Sequence, residues 1–125
     1  LAKVLMVEDH ADIRTLIRMT LDFEGHDIHE AVDGESGLAA VRALHPDVLL
    51  LDIMMPGELD GYDVCRALRA DPAFADLPIV LLTARGQATD LAMGEAAGAT
   101  AYMIKPFNPD DLIDTVARLA AGRGA

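Results

Sequence analysis

Three continuous apolar runs, Val4-Leu5-Met6-Val7, Val48-Leu49-Leu50-Leu51 and Ile79-Val80-Leu81-Leu82, limit the fold of this chain more than any other feature. A strand with one wet face alternates apolar and polar residues; these runs do not, so both of their faces must be covered. Between them lie segments with the helical period. Ile13, Leu16, Ile17 and Leu21 share one face, as do Leu38 and Val41, and later Leu112, Ile113, Val116 and Leu119. Gly25 and Gly98 stand where helices should stop, and Asn108-Pro109-Asp110-Asp111 supplies an N-cap, a first-turn proline and two acids for a helix N-terminus. The pattern predicts strands over 3–7, 27–31, 47–51, 79–82 and 101–104, and helices over 11–24, 34–44, 61–70, 87–97 and 109–121. Five β-α units with buried strands predict an α/β domain: a doubly wound parallel five-stranded sheet with helices on both faces.

At 125 residues the chain suits one domain, which buries roughly two thirds of the surface its unfolded form exposes. The domain is expected to cover 1–121, with 122–125 as a tail or the start of a linker. Although 52% of residues are hydrophobic, no apolar run approaches the roughly 20 residues of a membrane span. The start reads as a trimmed end rather than a targeting segment, so a soluble, cytoplasmic protein is expected. The net charge of −11, from 21 acids against 10 bases, gathers no Lys/Arg stripe, which argues against direct nucleic-acid binding. Cys65, alone and at helical spacing beside Val64 and Leu68, reads as a buried hydrophobe. His10, His26, His29 and His45 lack metal-ligand spacing and read as solvated surface. No glycine-rich nucleotide loop occurs.

The polar residues that end the apolar runs carry the chemistry. Glu8 and Asp9 follow the first run, Asp52 the third, Thr83 the fourth, and Lys105 follows Tyr102-Met103-Ile104. Open parallel sheets bind ligands outside the carboxyl ends of their strands, where the winding reverses, so the acid-bearing first and third strands should be neighbours there. Taken singly these residues are unremarked: an Asp after a Leu run is ordinarily a strand-end or cap residue, and Glu8-Asp9 would favour a helix N-terminus. An acceptor carboxylate, two more acids, a hydroxyl and an amine in register on one sheet edge point to an aspartate that accepts a phosphoryl group.

These residues give the chain a resemblance to the receiver domains of two-component response regulators, a family that includes chemotaxis regulators. It rests on Val7-Glu8-Asp9, on Leu51-Asp52-Ile53-Met54-Met55-Pro56 followed by Asp60-Gly61, on Leu82-Thr83-Ala84 and on Lys105-Pro106-Phe107, and covers almost the whole chain. The resemblance implies a flavodoxin-like (βα)5 fold with strand order 2-1-3-4-5. It also implies a cis Lys105–Pro106 peptide, and a switch in which Tyr102 fills the space left when Thr83 moves. The output surface would then be helix 4, strand 5 and helix 5, with Arg85, Asp90, Asp114 and Arg118 as its candidate charges. One departure stands out: Gly57-Glu58-Leu59 is one residue longer than the commonest form of that loop.

The chemistry fits the residues. Mg²⁺ takes oxygen ligands, keeps several waters and is held by one or two carboxylates plus phosphate. Asp9 and Asp52, with the Met54 carbonyl, are the expected metal ligands, and Glu8 is expected to act through a water. Asp52 is the expected nucleophile and phosphoacceptor, while Lys105, the Thr83 hydroxyl and the Ala84 amide are expected to meet the phosphoryl oxygens. The expected function is a phosphorylation-activated signalling switch that catalyses its own phosphoryl transfer and dephosphorylation. The donor would be a sensor histidine kinase or a histidine phosphotransfer protein, the recipient an output domain or effector, with homodimerisation on phosphorylation. An aspartyl-phosphate phosphatase would want a second acid two residues after Asp52, where Met54 stands. A phosphorylation-independent binding module would have no use for the intact set.

Overall fold

The computed structural model describes residues 2–84 and 88–123. In chain order it contains β1 (Lys3–Val7), α1 (Ala11–Asp22), β2 (Asp27–Ala31), α2 (Gly34–Leu44), β3 (Val48–Asp52), α3 (Gly61–Arg69), a 3-10 turn (Pro72–Phe74), β4 (Ile79–Thr83), α4 (Ala88–Ala97), β5 (Ala101–Ile104) and α5 (Pro109–Arg123). The strands form one parallel sheet in the order β2-β1-β3-β4-β5.

The period-two geometry of a strand explains why the apolar runs are unbroken. Leu5, Val7, Leu49, Leu51, Ile79 and Leu81 point to one face, where Val41 of α2, Val64, Cys65 and Leu68 of α3 and Ala97 of α4 cover them. The residues in between, Val4, Met6, Val48, Leu50, Val80 and Leu82, point to the other face, under Ile17 and Leu21 of α1 and Leu112 and Val116 of α5. Every position of β3 and β4 is therefore buried, while the edge strands β2 and β5 are partly open. Cys65 is fully buried, its Sγ 3.2 Å from the Ala97 carbonyl.

Element ends depart from the apolar pattern where polar residues belong to the ladder. β3 and β4 each run one residue further than the runs indicate, to Asp52 and Thr83. Asp47 lies outside β3 because it caps the neighbouring strand: its Oδ2 accepts from the Lys3 amide at 2.8 Å. α1 stops at Asp22, ahead of Gly25 with φ 86°, and α5 continues past 121 to Arg123. Gly98, with φ 94°, follows α4 as expected. The loop after β3 turns at Gly57, with φ 97°, and Leu59 packs against the first turn of α2, where a Cβ on Gly34 would meet the Leu59 carbonyl at 2.8 Å. Among the described residues no helix is long and apolar enough to cross a membrane.

The winding reverses between β1 and β3, the pair whose carboxyl ends carry Glu8, Asp9 and Asp52. The acids therefore converge at a crevice the topology leaves open.

Candidate functional site

Glu8 extends the β1–β2 ladder by one amide, donating to the Ala31 carbonyl at 3.1 Å, and its side chain is fully buried. A buried carboxylate needs a partner, and Lys105 supplies it from the end of β5. The Lys105 ammonium donates to Glu8 Oε1 and, at 3.1 Å, to Asp52 Oδ1. Burial alone would lower the pKa of Lys105, but these two acids outweigh it and the amine is held above its ordinary value. The other Glu8 oxygen accepts from the His10 amide at 3.1 Å.

Asp52, 3% exposed, closes the floor of the site. Its Oδ2 is buried without a hydrogen-bond partner, as is Asp9 Oδ1. Burial, followed by the repulsion of Glu8, pushes the Asp52 carboxyl up to about 7 against the pull of Lys105. Asp9 goes the other way. Its burial favours the proton, but the adjoining carboxyls of Asp52 and Glu8, which take the proton in preference, and the nearby imidazole of His10 hold it below the usual carboxylate range.

Ligand atoms of Glu8, Asp9, His10 and Asp52 lie within 4.8 Å of one another. The buried Asp52 Oδ2, without a hydrogen-bond partner in such a cluster of carboxylates, fits a hard divalent cation, which would neutralise the charge that raises Asp52. Met54, 60% exposed, follows the same strand end.

The backbone beneath Asp52 explains Asp60-Gly61. Gly61 donates to the Ile53 carbonyl at 2.8 Å, and a Cβ there would stand 2.4 Å from the Asp52 carbonyl oxygen and 2.7 Å from Ile53 Cα. Only glycine lets α3 begin so close to the Asp52 backbone. Asp60 caps the helix reciprocally with Asp63. Gly61→Ala is expected to cost about 1–3 kcal/mol as an overpacked backbone contact and to displace Asp52. Thermal unfolding and a loss of cation binding would report the two effects; wild-type values for both would mean the contact is not tight.

Thr83 ends β4, 4% exposed, and its carbonyl accepts from the Lys105 amide at 2.6 Å. Ala84 beside it is exposed. The Lys105–Pro106 peptide is cis, as the resemblance implied. Tyr102 is half-buried on β5 against α4, where a Cβ on Gly94 would meet its ring at 3.3 Å. Asp114 and Arg118 lie exposed on α5 and Asp90 is half-buried on α4, whereas Arg85 falls outside the described residues.

Two residues beside the site were not read as part of it from the sequence. Tyr62, buried behind Gly61, donates its hydroxyl to the Asp90 carbonyl at 3.2 Å, and burial, with Tyr102 nearby, pushes its phenol up to about 12. His10 is 65% exposed, as a surface histidine should be, yet its Nδ1 stands 3.2 Å from both Glu8 Oε2 and Asp9 Oδ1. Its position directly after Glu8-Asp9 was the available signal.

Compared with known proteins, residues 4–117 match the response regulator receiver domain. The chain belongs to that family. This receiver domain is 44% identical over 114 residues to the DNA-binding response regulator MtrA of Mycolicibacterium paratuberculosis, a match covering 91% of this chain and 49% of that protein. The chain spans about half the length of the curated relatives it matches. A putative response regulator from Chloroflexus aurantiacus superposes with a TM-score of 0.91 at 33% identity, covering 96% of this chain and 98% of that one. The receiver domain of the sensor histidine kinase PA1611 from Pseudomonas aeruginosa, solved with a magnesium ion coordinated in its active-site cleft, gives 0.88 at 29% identity over 96% and 98% of the two chains. The strand order and the acidic crevice are thus those of a regulatory domain in two-component signalling.

Proposed function

We propose that this receiver domain is a Mg²⁺-dependent switch that takes a phosphoryl group on Asp52 from a phosphohistidine donor. One observation carries the reading: a buried acceptor carboxylate with one oxygen on the Lys105 ammonium and the other, Oδ2, unpartnered beside Asp9. Asp9, Asp52 and the Met54 carbonyl would hold Mg²⁺, with Glu8 acting through a water while its charge also anchors Lys105. Bound there, Mg²⁺ supplies positive charge to the acids and to a phosphoryl oxygen. An Asp52 oxygen forms the new O–P bond as the N–P bond of phosphohistidine breaks, and the departing imidazole keeps the electron pair and takes up a proton. Lys105, the Thr83 hydroxyl and the Ala84 amide meet the remaining phosphoryl oxygens. Hydrolysis of the acyl phosphate at the same site resets the domain.

The MtrA relative is described as DNA-binding, which supports an output domain in the longer protein, with the cytoplasm as the compartment and a histidine kinase or phosphotransfer protein as partner. The acidic surface supports no nucleic-acid binding by this domain itself. Thr83 relays phosphorylation to Tyr102 and to the surface of α4, β5 and α5, where dimerisation follows.

Acetyl phosphate with Mg²⁺ should add one phosphoryl group by intact mass, and hydroxylamine should remove it, as it removes an acyl phosphate and leaves a serine or threonine ester. A hydroxylamine-stable label at Thr83 overturns the reading. Thr83→Ala should still be phosphorylated while amide-exchange changes on α4, β5 and α5 with beryllofluoride are blunted. A full wild-type response in that variant would exclude the hydroxyl as relay.

A further inference from the structure

The phosphorylation chemistry leaves the imidazole of His10 without a task. Its backbone N–H donates to Glu8 Oε2 at 3.1 Å, and its Nδ1 stands 3.2 Å from both Glu8 Oε2 and Asp9 Oδ1. Donors on adjacent corners of an octahedron, about 2.1 Å from a shared cation, lie about 3 Å apart. The nitrogen and the Asp9 oxygen are therefore spaced as two ligands of one ion. Independently, Asp52 Oδ2, on a side chain 96% buried, has no hydrogen-bond partner in the same cluster. Arg14, on the first turn of α1, is committed elsewhere, to the Glu8 carbonyl at 2.8 Å and to Glu30 at 3.3 Å.

We propose that His10 is a nitrogen ligand of the acidic site, giving it a preference for borderline divalent cations such as Mn²⁺, Co²⁺ and Zn²⁺ over Mg²⁺. The inference rests on the reading of Glu8, Asp9 and Asp52 as a cation site and adds a donor of a different chemical class to it. Imidazole suits the later first-row metals, whose affinity for nitrogen sites rises along the series, whereas Mg²⁺ is satisfied by carboxylate, carbonyl and water. The ring is 65% exposed, so it can turn toward an ion without repacking the core, and it can be removed without leaving a cavity. If His10 were only a counter-charge to the acids, its removal would change the affinity of every divalent cation alike. If it is a ligand, its removal changes their ratio.

The full chain, stripped of metal and held near pH 8, is titrated calorimetrically with Mg²⁺, Mn²⁺ and Co²⁺ in parallel with His10→Ala. The wild type should prefer Co²⁺ over Mg²⁺, and His10→Ala should cut that ratio by about tenfold or more while Mg²⁺ still binds. In the wild type, saturating Zn²⁺ should shift the NMR signals of the His10 ring and Mg²⁺ should leave them nearly in place. The His29–Asp27 pair persists in the variant, so binding there cancels in the comparison. An unchanged Co²⁺ to Mg²⁺ ratio in His10→Ala, or ring signals unmoved by Zn²⁺, overturns the assignment of His10 and leaves the acidic site standing. If Mg²⁺ binds to neither protein, the acidic-site reading falls and this inference with it.

Discussion

Asp52→Asn is expected to lose phosphoryl acceptance completely and, in chelator, to melt at a higher temperature than the wild type. The two effects have one origin. Burial and Glu8 hold the Asp52 carboxyl near 7, against an ordinary 3.8. Between those values the folded chain keeps a proton that the unfolded chain releases, so this group's contribution to stability is greatest in acid. It falls as pH rises from about 4 to about 7, and above that the ionised carboxylate is a constant cost. Asparagine stays neutral throughout, so the advantage of the variant should be absent near pH 4, grow toward pH 7 and then level off. Lys105 loses part of its pairing in the exchange, which leaves a net gain of about 1–3 kcal/mol above pH 7. For a domain of this size that is roughly 3–6 °C in melting temperature per kcal/mol. Mg²⁺ should cancel most of that advantage or reverse it: at a hundred times its dissociation constant it adds about 2.7 kcal/mol to the wild type. The variant, lacking one proposed ligand, should gain far less. Melting curves across this pH range, with chelator and with Mg²⁺, test the account. An Asp52→Asn protein less stable than wild type at pH 8 in chelator, or one that still takes up the phosphoryl label, would sink it.

The sheet could be read from the sequence because both of its faces are covered. Leu49, Leu50 and Leu51 alternate between two cores, so burial leaves a continuous run in place of an alternating one. What that signal loses is the polar residue that completes a strand, and Asp52 and Thr83 are such residues. The convergence of Glu8, Asp9, Asp52 and Lys105 was legible too, since a parallel sheet presents the ends of its strands together. The use of each acid was not. Glu8 and Lys105 are 97 residues apart, and nothing local states that the Lys105 ammonium meets a fully buried Glu8 carboxylate. Gly61 could be recognised in its motif, but its physical reason is the Asp52 carbonyl 2.4 Å from where a Cβ would stand, a contact between distant turns of backbone. Tyr62 and His10 escaped for opposite reasons. The first looks like any apolar helix residue until its hydroxyl meets α4, and the second like any exposed histidine until its ring is seen against two carboxylates.

Lys105→Met is expected to destabilise the metal-free domain by about 3–5 kcal/mol, the cost of stranding a buried charge when its partner is removed. Glu8 has no exposure to water, and with the ammonium gone its Oε1 faces an apolar side chain while Asp52 still repels it. Because the pKa of Lys105 is raised, the amine is fully charged throughout the neutral range, and its contribution persists until pH rises past the ordinary lysine value of 10.5. The loss in the variant should therefore be full at pH 8 and smaller at pH 5, where the proton on Asp52 removes one of the two repelling charges. Glu8→Gln combined with Lys105→Met should recover most of the stability, and the double-mutant cycle measures the coupling directly. Mg²⁺ should stabilise Lys105→Met at least as much as wild type, since the acids then have no internal cation. If Lys105 meets a phosphoryl oxygen as proposed, the beryllofluoride-induced changes on α4, β5 and α5 should weaken. A variant that melts with the wild type at pH 8 would show the buried pair to be energetically idle. One that loses Mg²⁺ binding while keeping the full switch response would place Lys105 in the metal site instead of on the phosphoryl group.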